Sequence, residues 1–288
     1  MVGEKKFSLF SMINTFILAC VAVVILYPII QIVSISFSEP SAVIQGRVYL
    51  WPIGLNFDAY LEIAKDHRIP RSYLNTILYT AVGTFINLAM TAVAAYPLSR
   101  RHLFGRKFWI IMIVLTMFIN GGMIPTYLVV REVGLLNSMW ALVIPNAIWT
   151  FELLIMKSFF ENMSESLRES AVIDGASEYR ILWSIMLPLA KPALASIGLF
   201  YFMGHWNSYF LPMIYLRDTE MYPVQVVLRD LLIKTSATET MGAEGTVALP
   251  PEAVKNAIIV VTMVPVLIIY PFAQKYFAKG VMLGAEKG

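Results

Sequence analysis

Six stretches of this chain are each long and apolar enough to cross a lipid bilayer as a helix. A spanning helix needs about 20 apolar residues, because it rises about 1.5 Å per residue through a hydrocarbon core roughly 30 Å thick. Backbone groups inside the bilayer must pair within the protein, and a helix pairs them within one segment. The sequence therefore predicts an all-α, polytopic membrane protein with six transmembrane helices, at approximately Met12 to Val33, Leu74 to Leu98, Phe108 to Val130, Met139 to Lys157, Ala193 to Leu216 and Ala257 to Phe277.

Composition supports the same fold class. The chain is 58% apolar and only 14% charged, with a mean hydropathy of +0.68, and such a chain has too little polar surface for an ordinary soluble domain. The net charge of +3 does not indicate nucleic-acid binding, because the basic residues are spread between apolar runs instead of forming a stripe.

Basic residues predict the orientation of the helices, since lysine and arginine are enriched in cytoplasmic loops. The short turn from 99 to 107 carries Arg100, Arg101, Arg106 and Lys107, so we expect this turn and both termini to be cytoplasmic. The predicted parts are residues 1–72, an N-terminal helix with the first extracytoplasmic loop; 73–277, a core of five spans; and 278–288, a cytoplasmic tail. Within the core, 161–190 is a cytoplasmic loop and 217–252 an extracytoplasmic one.

The loop between the fourth and fifth spans is a polar island with helix signals. Ser166 and Glu169 have the spacing of a capping box, which predicts that a short helix begins there. Gly175 adopts positive φ at low cost, and the following Ser177 and Glu178 are an N-cap and a first-turn acid. We therefore expect two short helices joined at a glycine.

The second of these helices is expected to be amphipathic and to end at Pro188. Its apolar residues recur at helical spacing, and proline lacks the backbone N–H and disfavours helix at the preceding residue. The apolar residues of this pattern are Ile181, Leu182, Ile185 and Met186.

The same loop resembles the cytoplasmic EAA loop of binding-protein-dependent ABC importer permeases, which reads E-A-A, three residues, glycine, nine residues, I-x-L-P. Ser170 stands in place of the first alanine, and Ser164 where many relatives have proline. The resemblance implies that this loop docks into a cleft of a separate ATPase subunit and moves with it. The residues assigned to this coupling are Glu169, Ser170, Ala171, Asp174, Gly175, Ile185, Leu187 and Pro188.

Further segments along almost the whole chain are similar to the maltose-permease-like carbohydrate family, and most like its branch for complex oligosaccharides and polysaccharide fragments. They include 75–80, 95–100, 120–128, 134–137 and 279–284. The resemblance implies a subunit of a bacterial importer in the cytoplasmic membrane, together with a non-identical sister permease, two ATPase subunits and an extracytoplasmic solute-binding protein.

No phosphate-binding G-x-x-x-x-G-K-[ST] loop and no local catalytic motif occurs in the sequence. We therefore expect a permease that is not itself an enzyme and binds no cofactor, with ATP and magnesium held by the partner ATPase subunits. One cysteine and three histidines, scattered along the chain, do not spell out a metal site.

Polar and aromatic residues within the spans are candidates for the substrate path. Aromatic rings stack on sugars while amides and hydroxyls bond their rims, although interhelical packing explains the same residues. Glu152 either lines the path or pairs helices, or extends toward the interface near Lys157. A helix break is expected at 120–125, beside Asn120. The predicted path residues are Asn120, Glu152, Tyr201, Trp206, Asn207 and Tyr209.

The second extracytoplasmic loop is expected to contain a short amphipathic helix over 223–233, followed by an exposed mobile segment over 236–246. We predict that this segment reaches the solute-binding protein and helps to release its sugar. The predicted contacts are Thr235, Thr238, Glu239, Met241 and Glu244.

Other functions remain open at the level of the sequence. An ABC permease for another solute, such as amino acids, would share the EAA loop. An ion-coupled secondary carrier would need ionisable groups at mid-membrane, for which only Glu152 is a candidate. A non-transporting scaffold would not need the loop.

Overall fold

The computed structural model describes residues 9–240 and 249–285, which are almost entirely helical. Within these ranges the extended structure is limited to one isolated bridge, between Ser38 and Leu55. The helices are α1 Leu9–Ser36, α2 Pro40–Ile44, α3 Asp58–Ala64, α4 Arg68–Ser99, α5 Arg106–Leu115, α6 Met123–Glu132, α7 Trp140–Val143, α8 Thr150–Glu161, α9 Glu165–Ile173, α10 Glu178–Ile181, α11 Leu187–Leu189, α12 Lys191–Trp206, α13 Phe210–Tyr215, α14 Val224–Thr240 and α15 Pro251–Ala285. A π-helical turn, Leu182–Met186, joins α10 to α11, and a 3₁₀ turn, Thr219–Met221, precedes α14.

Three helical segments in the described ranges are long and apolar enough to cross a membrane unbroken: Leu9–Ser36, Arg68–Ser99 and Pro251–Ile269. A fourth arises if Glu178–Leu189 and Lys191–Trp206, which are bent by 81°, are counted as one span. The all-helical fold class is therefore confirmed, whereas six continuous spanning helices are not what the structure shows.

The third, fourth and fifth predicted spans are each divided into shorter helices. The break predicted near Asn120 is confirmed, since α5 ends at Leu115 and α6 begins at Met123. Continuous helices over the fourth and fifth stretches are wrong. In the fourth, Pro145 lies in the turn between α7 and α8, where its missing N–H and fixed φ interrupt the helical ladder.

Side chains of neighbouring helices pair the backbone groups that the break between α7 and α8 leaves open. The Asn87 amide of α4 donates to the Asn146 carbonyl at 2.6 Å. The Trp149 N–H donates to the Tyr201 hydroxyl of α12 at 3.1 Å. Irregular backbone at membrane depth is tolerated where protein covers it in this way, so the break belongs to the packed interior.

The described residues form two compact units. One contains the residues up to Ile69 together with Leu228–Pro265, and the other contains Pro70–Val227 and the rest of α15. In the first unit Arg68 pairs with Asp66 at 2.6 Å and with Asp230 at 3.0 Å. The hydrogen bond from Arg68 lowers the pKa of the Asp66 carboxyl to about 2, so this pair stays ionised at neutral pH.

The main core of the second unit lies between α4, α8, α12 and the polar loop that precedes α12. Its fully buried side chains include Met156 and Phe160 of α8, Ile181 of α10, and Ile197 and Tyr201 of α12. The face of α4 in this core is mostly small, with Ala92 and Ala95 beside Tyr96. Small residues let helix backbones approach closely, which brings the polar loop against α4.

Two glycines mark the closest approaches in this unit. A Cβ added to Gly83 of α4 would lie 2.6 Å from the His205 ring, and one added to Gly204 would lie 2.1 Å from the Trp149 ring. Both distances are far below van der Waals contact. These positions therefore require the absence of a side chain.

We predict that Gly204→Ala destabilises the protein by about 1–3 kcal/mol, the usual cost of forcing extra atoms into a packed core. The measurement is the thermal unfolding of the purified complex in detergent. Gly121→Ala is the matched control, because a Cβ there meets nothing within 4 Å. Equal unfolding temperatures for the two variants would contradict the close approach.

Candidate functional site

The polar loop forms a helical hairpin, here called the polar hairpin, which comprises residues 164–190. Helix α9 ends in a left-handed residue, Gly175, at φ 78°. The Ala176 N–H bonds the Ala171 carbonyl at 2.9 Å and the Gly175 N–H bonds the Val172 carbonyl at 3.0 Å. This pair of bonds is a Schellman motif, which satisfies the last helical carbonyls and usually ends in glycine. The four-residue spacing between Ala171 and Gly175 is therefore the spacing that this C-terminal helix cap requires.

The start of α9 differs from the prediction. The helix begins at Glu165, with Ser164 in extended conformation at the N-cap and no side-chain capping bond, so the capping box over Ser166 and Glu169 is wrong. The reason is local competition: the Ser164 and Ser166 hydroxyls bond each other at 2.6 Å. Short polar side chains often bond their neighbours in this way instead of capping.

The second arm of the polar hairpin confirms its predicted cap and corrects its predicted end. The Ser177 hydroxyl accepts from the Arg180 N–H at 3.3 Å. The helix does not end before Pro188, because the π-helical turn Leu182–Met186 leads directly into α11. A π turn is wider than an α turn and relieves the clash between a proline ring and the carbonyl four residues before it.

The coupling residues predicted from sequence divide into an exposed and a buried set. Ala171 is buried, and Ile185 and Leu187 pack partly buried against the core of the second unit. Those on the exposed surface of the polar hairpin are Glu169, Ser170, Asp174, Gly175 and Pro188. The hairpin thus has one face packed in the chain and another face open.

Two exposed apolar side chains on the hairpin were missed by the sequence reasoning. Ile173 is 85% exposed at the end of α9, and Tyr179 is 71% exposed on α10. The signal was an apolar pair, Val172 and Ile173, beside the glycine in an otherwise polar segment. Large apolar groups exposed next to polar ones are typical of a surface that contacts another protein.

The structure places two predicted path residues inside the packing and not on an open surface. Tyr201 is 0% and Trp206 is 3% exposed, so both pack between helices in this conformation, and a role for either in a substrate path stays a prediction. The Tyr201 hydroxyl also bonds the Thr91 hydroxyl at 2.7 Å, and Trp206 stacks on Phe202 with ring centroids 5.8 Å apart.

Glu152 is also buried, at 6% exposed, in the first turn of α8. Lys157 pairs with Glu161 at 2.7 Å. In the described part of the chain no lysine or arginine lies within ion-pair distance of Glu152. Asn120, Asn207 and Tyr209 are the predicted path residues that remain on exposed surface.

Asn87 and Thr91 are buried polar residues of α4 that the sequence reasoning did not single out. The Asn87 side-chain oxygen lies 2.6 Å from His205 Nε2. Asn87 and Thr91 are four residues apart, so both lie on the face of α4 that meets α12. Their signal in the sequence was two hydrogen-bonding side chains at helical spacing within an apolar stretch.

Comparison with known proteins shows which family this chain resembles over its whole length, although no protein-family model matches it. It is 42% identical over 285 residues to the polygalacturonan/rhamnogalacturonan transport system permease protein YtcP of Bacillus subtilis, which spans 98% of this chain and 100% of that protein. It is 40% identical over 289 residues to protein LplC of the same organism, across 100% of this chain and 98% of that one.

This chain belongs to the family of carbohydrate ABC transport permeases. The structure agrees with the sequence comparison. It superposes with a TM-score of 0.86 and 40% identity on a chain from the crystal structure of a bacterial ABC transporter involved in the import of the acidic polysaccharide alginate, covering 96% of this chain and 99% of that one. The carbohydrate permease predicted from the EAA loop and the wider resemblance is therefore confirmed, and the alternatives of an amino-acid permease and a secondary carrier are set aside.

The predicted binding-protein contacts of this permease are only partly described. The helix expected over 223–233 is present as the first part of α14, which begins at Val224 and continues to Thr240. The mobile segment predicted over 236–246 is therefore wrong for 236–240. Thr235 borders a cleft of about 540 Å³ between α3, α14 and α15. Thr238 and Glu239 lie in the last turns of α14, and Met241 and Glu244 lie outside the described residues.

We predict that Tyr201→Phe lowers the stability of this permease without changing its apparent affinity for solute. The change leaves the buried Trp149 N–H without its acceptor, which costs about 1–3 kcal/mol. Thermal unfolding and the KM for uptake measure the two effects. Tyr49→Phe, where the side chain is 62% exposed, is the control. A changed KM with an unchanged unfolding temperature would indicate instead that Tyr201 contributes to the substrate path.

Proposed function

We propose that this permease carries a fragment of an acidic polysaccharide into the cell. The observation that carries the proposal is whole-length identity of 40% or more with the permease of a polygalacturonan/rhamnogalacturonan system and with a chain of an alginate importer. Polygalacturonan and alginate are both polymers of sugar acids. Both relatives are named for the transport of a polysaccharide, which favours a substrate longer than a monosaccharide.

The proposed topology has six membrane crossings with both termini in the cytoplasm. The support is three unbroken apolar helices together with the paired shorter helices α5–α6, α7–α8 and α12–α13, each of which replaces one predicted span. Basic residues at the turn between α4 and α5, which include Arg100, Arg101 and Lys107, support a cytoplasmic position for that end of the helices. The polar hairpin lies against the same end of α4.

The polar hairpin is proposed to receive the force of ATP hydrolysis. Its exposed residues Glu169, Ser170, Asp174 and Gly175 would meet an ATPase subunit, and Ile173 and Tyr179 would add apolar contact. ATP and magnesium are proposed to sit on the ATPase subunits, with none on this chain. The buried face of the hairpin would then carry the movement into the membrane helices.

The remaining partners are proposed from the family. A sister permease would complete the path with the exposed residues Asn120, Asn207 and Tyr209, because one chain encloses only part of a route. An extracytoplasmic solute-binding protein would deliver the polysaccharide fragment near the C-terminal end of α14. The exposed side chains of α1 would face lipid or the sister permease.

Transport in proteoliposomes tests the proposed function directly. We expect uptake of acidic oligosaccharide by the four-subunit complex only when ATP and the purified binding protein are both present, and neutral oligosaccharides of equal length should compete poorly. Uptake without ATP would contradict an ABC permease. Equal uptake of neutral and acidic oligosaccharides would contradict the proposed substrate class alone.

We predict that Glu169→Lys and Gly175→Val reduce docking of the ATPase while the permease still inserts into the membrane. Glu169→Lys reverses a charge on the exposed face, and Gly175→Val forces a β-branched residue to positive φ, at roughly 1–2 kcal/mol. Copurification of the ATPase with tagged permease is the measurement. Glu132→Lys, an exposed charge reversal on α6, is the control. Normal copurification with both hairpin variants would count against this surface.

A further inference from the structure

The polar hairpin is held to the end of α4 by one carboxylate with two different partners. Glu178 of α10 forms an ion pair with Arg168 of α9. The same carboxylate accepts a hydrogen bond from the Tyr96 hydroxyl of α4 at 2.5 Å. Three segments that are separate in sequence, at 96, 168 and 178, therefore meet at one group.

The Tyr96 side chain is held firmly by the core around it. Its side chain is 5% exposed and belongs to the core of the second unit, where it packs edge-on against Phe160 at 5.9 Å between centroids. Its hydroxyl reaches Glu178 in the polar cluster. A buried ring in a close-packed core has little freedom to move, so the carboxylate bonds to a fixed point on α4.

Arg100 and Glu165 extend the cluster to the loop after α4. The Arg100 guanidinium lies 4.4 Å above the Tyr96 ring and its Nη1 is 3.3 Å from Glu165. Glu165 also accepts from Arg168 at 3.2 Å. Positive and negative groups thus alternate from Arg100 to Glu178, and the hydrogen bond to Glu178 raises the pKa of the Arg168 guanidinium.

Arg100 also has donors that the observed arrangement does not use. Its Nε and Nη2 atoms are buried and lack a hydrogen-bond partner among the described residues. A buried donor without a partner is costly, so the observed arrangement leaves part of the hydrogen-bonding capacity of Arg100 unused.

Apolar contacts and charged contacts fix the polar hairpin in different ways. The buried Ile181, Leu182 and Met186 hold it by a non-directional effect that permits small sliding movements. Charge-assisted hydrogen bonds are directional, so the bonds of Glu178 set the angle between the hairpin and α4. From Tyr96 the helix runs about 14 Å to Asn87, at 1.5 Å per residue, where it contacts His205 of α12.

We propose that Arg168, Glu178 and Tyr96 form a clamp that makes the polar hairpin and α4 move as one body, so that the clamp sets how much transport follows each ATP hydrolysed. These are positioning residues, since none of them is proposed to touch ATP or solute. The proposal rests on the proposed function, because it concerns how the hairpin passes movement from an ATPase to the membrane helices.

The test is the ratio of solute imported to ATP hydrolysed, in proteoliposomes that contain the full complex and the binding protein. We expect Arg168→Glu and Glu178→Arg each to lower this ratio at least about fivefold, the lower end of typical coupling energies, while the ATPase still copurifies. The double variant R168E/E178R should restore part of the ratio, because it rebuilds the ion pair with reversed charges although the Tyr96 hydroxyl loses its carboxylate acceptor. Arg131→Glu, in an exposed pair on α6, should leave the ratio unchanged.

Milder variants distinguish a loss of coupling from a loss of folding. Tyr96→Phe and Arg168→Gln should lower the ratio in the same direction, with unfolding temperatures close to that of the unmodified complex. If the single variants lost uptake and ATP hydrolysis in equal proportion, so that the ratio stayed unchanged, the proposed clamp would be contradicted. A double variant that shows no recovery would contradict it too. Failure of the unmodified complex to import solute with ATP would instead contradict the proposed function.

Discussion

Burial of the apolar side of the polar hairpin is the constraint on which the functional architecture depends. Ile181, Leu182 and Met186 lie in the same core as Met156 and Phe160 of α8, and each fully buried side chain of this size contributes about 1.5–3 kcal/mol relative to exposure. Without that burial the segment would be a solvated loop between two spans. With it, the hairpin is part of the helix bundle, and a movement at its exposed tip has to displace packed helices.

The broken helices of this permease are stable because α4 and α12 supply polar partners for the open backbone. Asn87 bonds the carbonyl of Asn146, and Tyr201 accepts from Trp149 N–H. Tyr201 and Trp206, which the sequence suggested for a sugar path, are buried in this packing, whereas Asn120, Asn207 and Tyr209 are exposed. A polar or aromatic residue inside a membrane span has at least these two uses, in the fold or in a path.

The hairpin itself shows how far local sequence rules reach. The left-handed glycine and the Ser177 cap follow from intrinsic preferences, since few residues other than glycine tolerate positive φ and a serine hydroxyl readily accepts from a helix N–H. The start of α9 does not follow from such preferences, because the Ser164 hydroxyl bonds the Ser166 hydroxyl instead of capping the helix. The continuation of the second arm past Pro188 does not follow either, because the backbone forms a π turn there. Such choices differ by little free energy, so surrounding packing decides them.

By itself the sequence determined that this chain is an all-helical membrane protein, because hydrophobic length acts locally, and its resemblance to ABC permeases gave the family. Only the tertiary structure decided which polar groups are buried and which are open, how the spans are broken, and that Glu178 joins Arg168 to Tyr96. Those features bring together residues more than 100 positions apart, such as Asn87 and His205, which are 118 positions apart. Contacts between residues so far apart depend on how the helices pack, and the residue pattern of a single segment does not predict that packing.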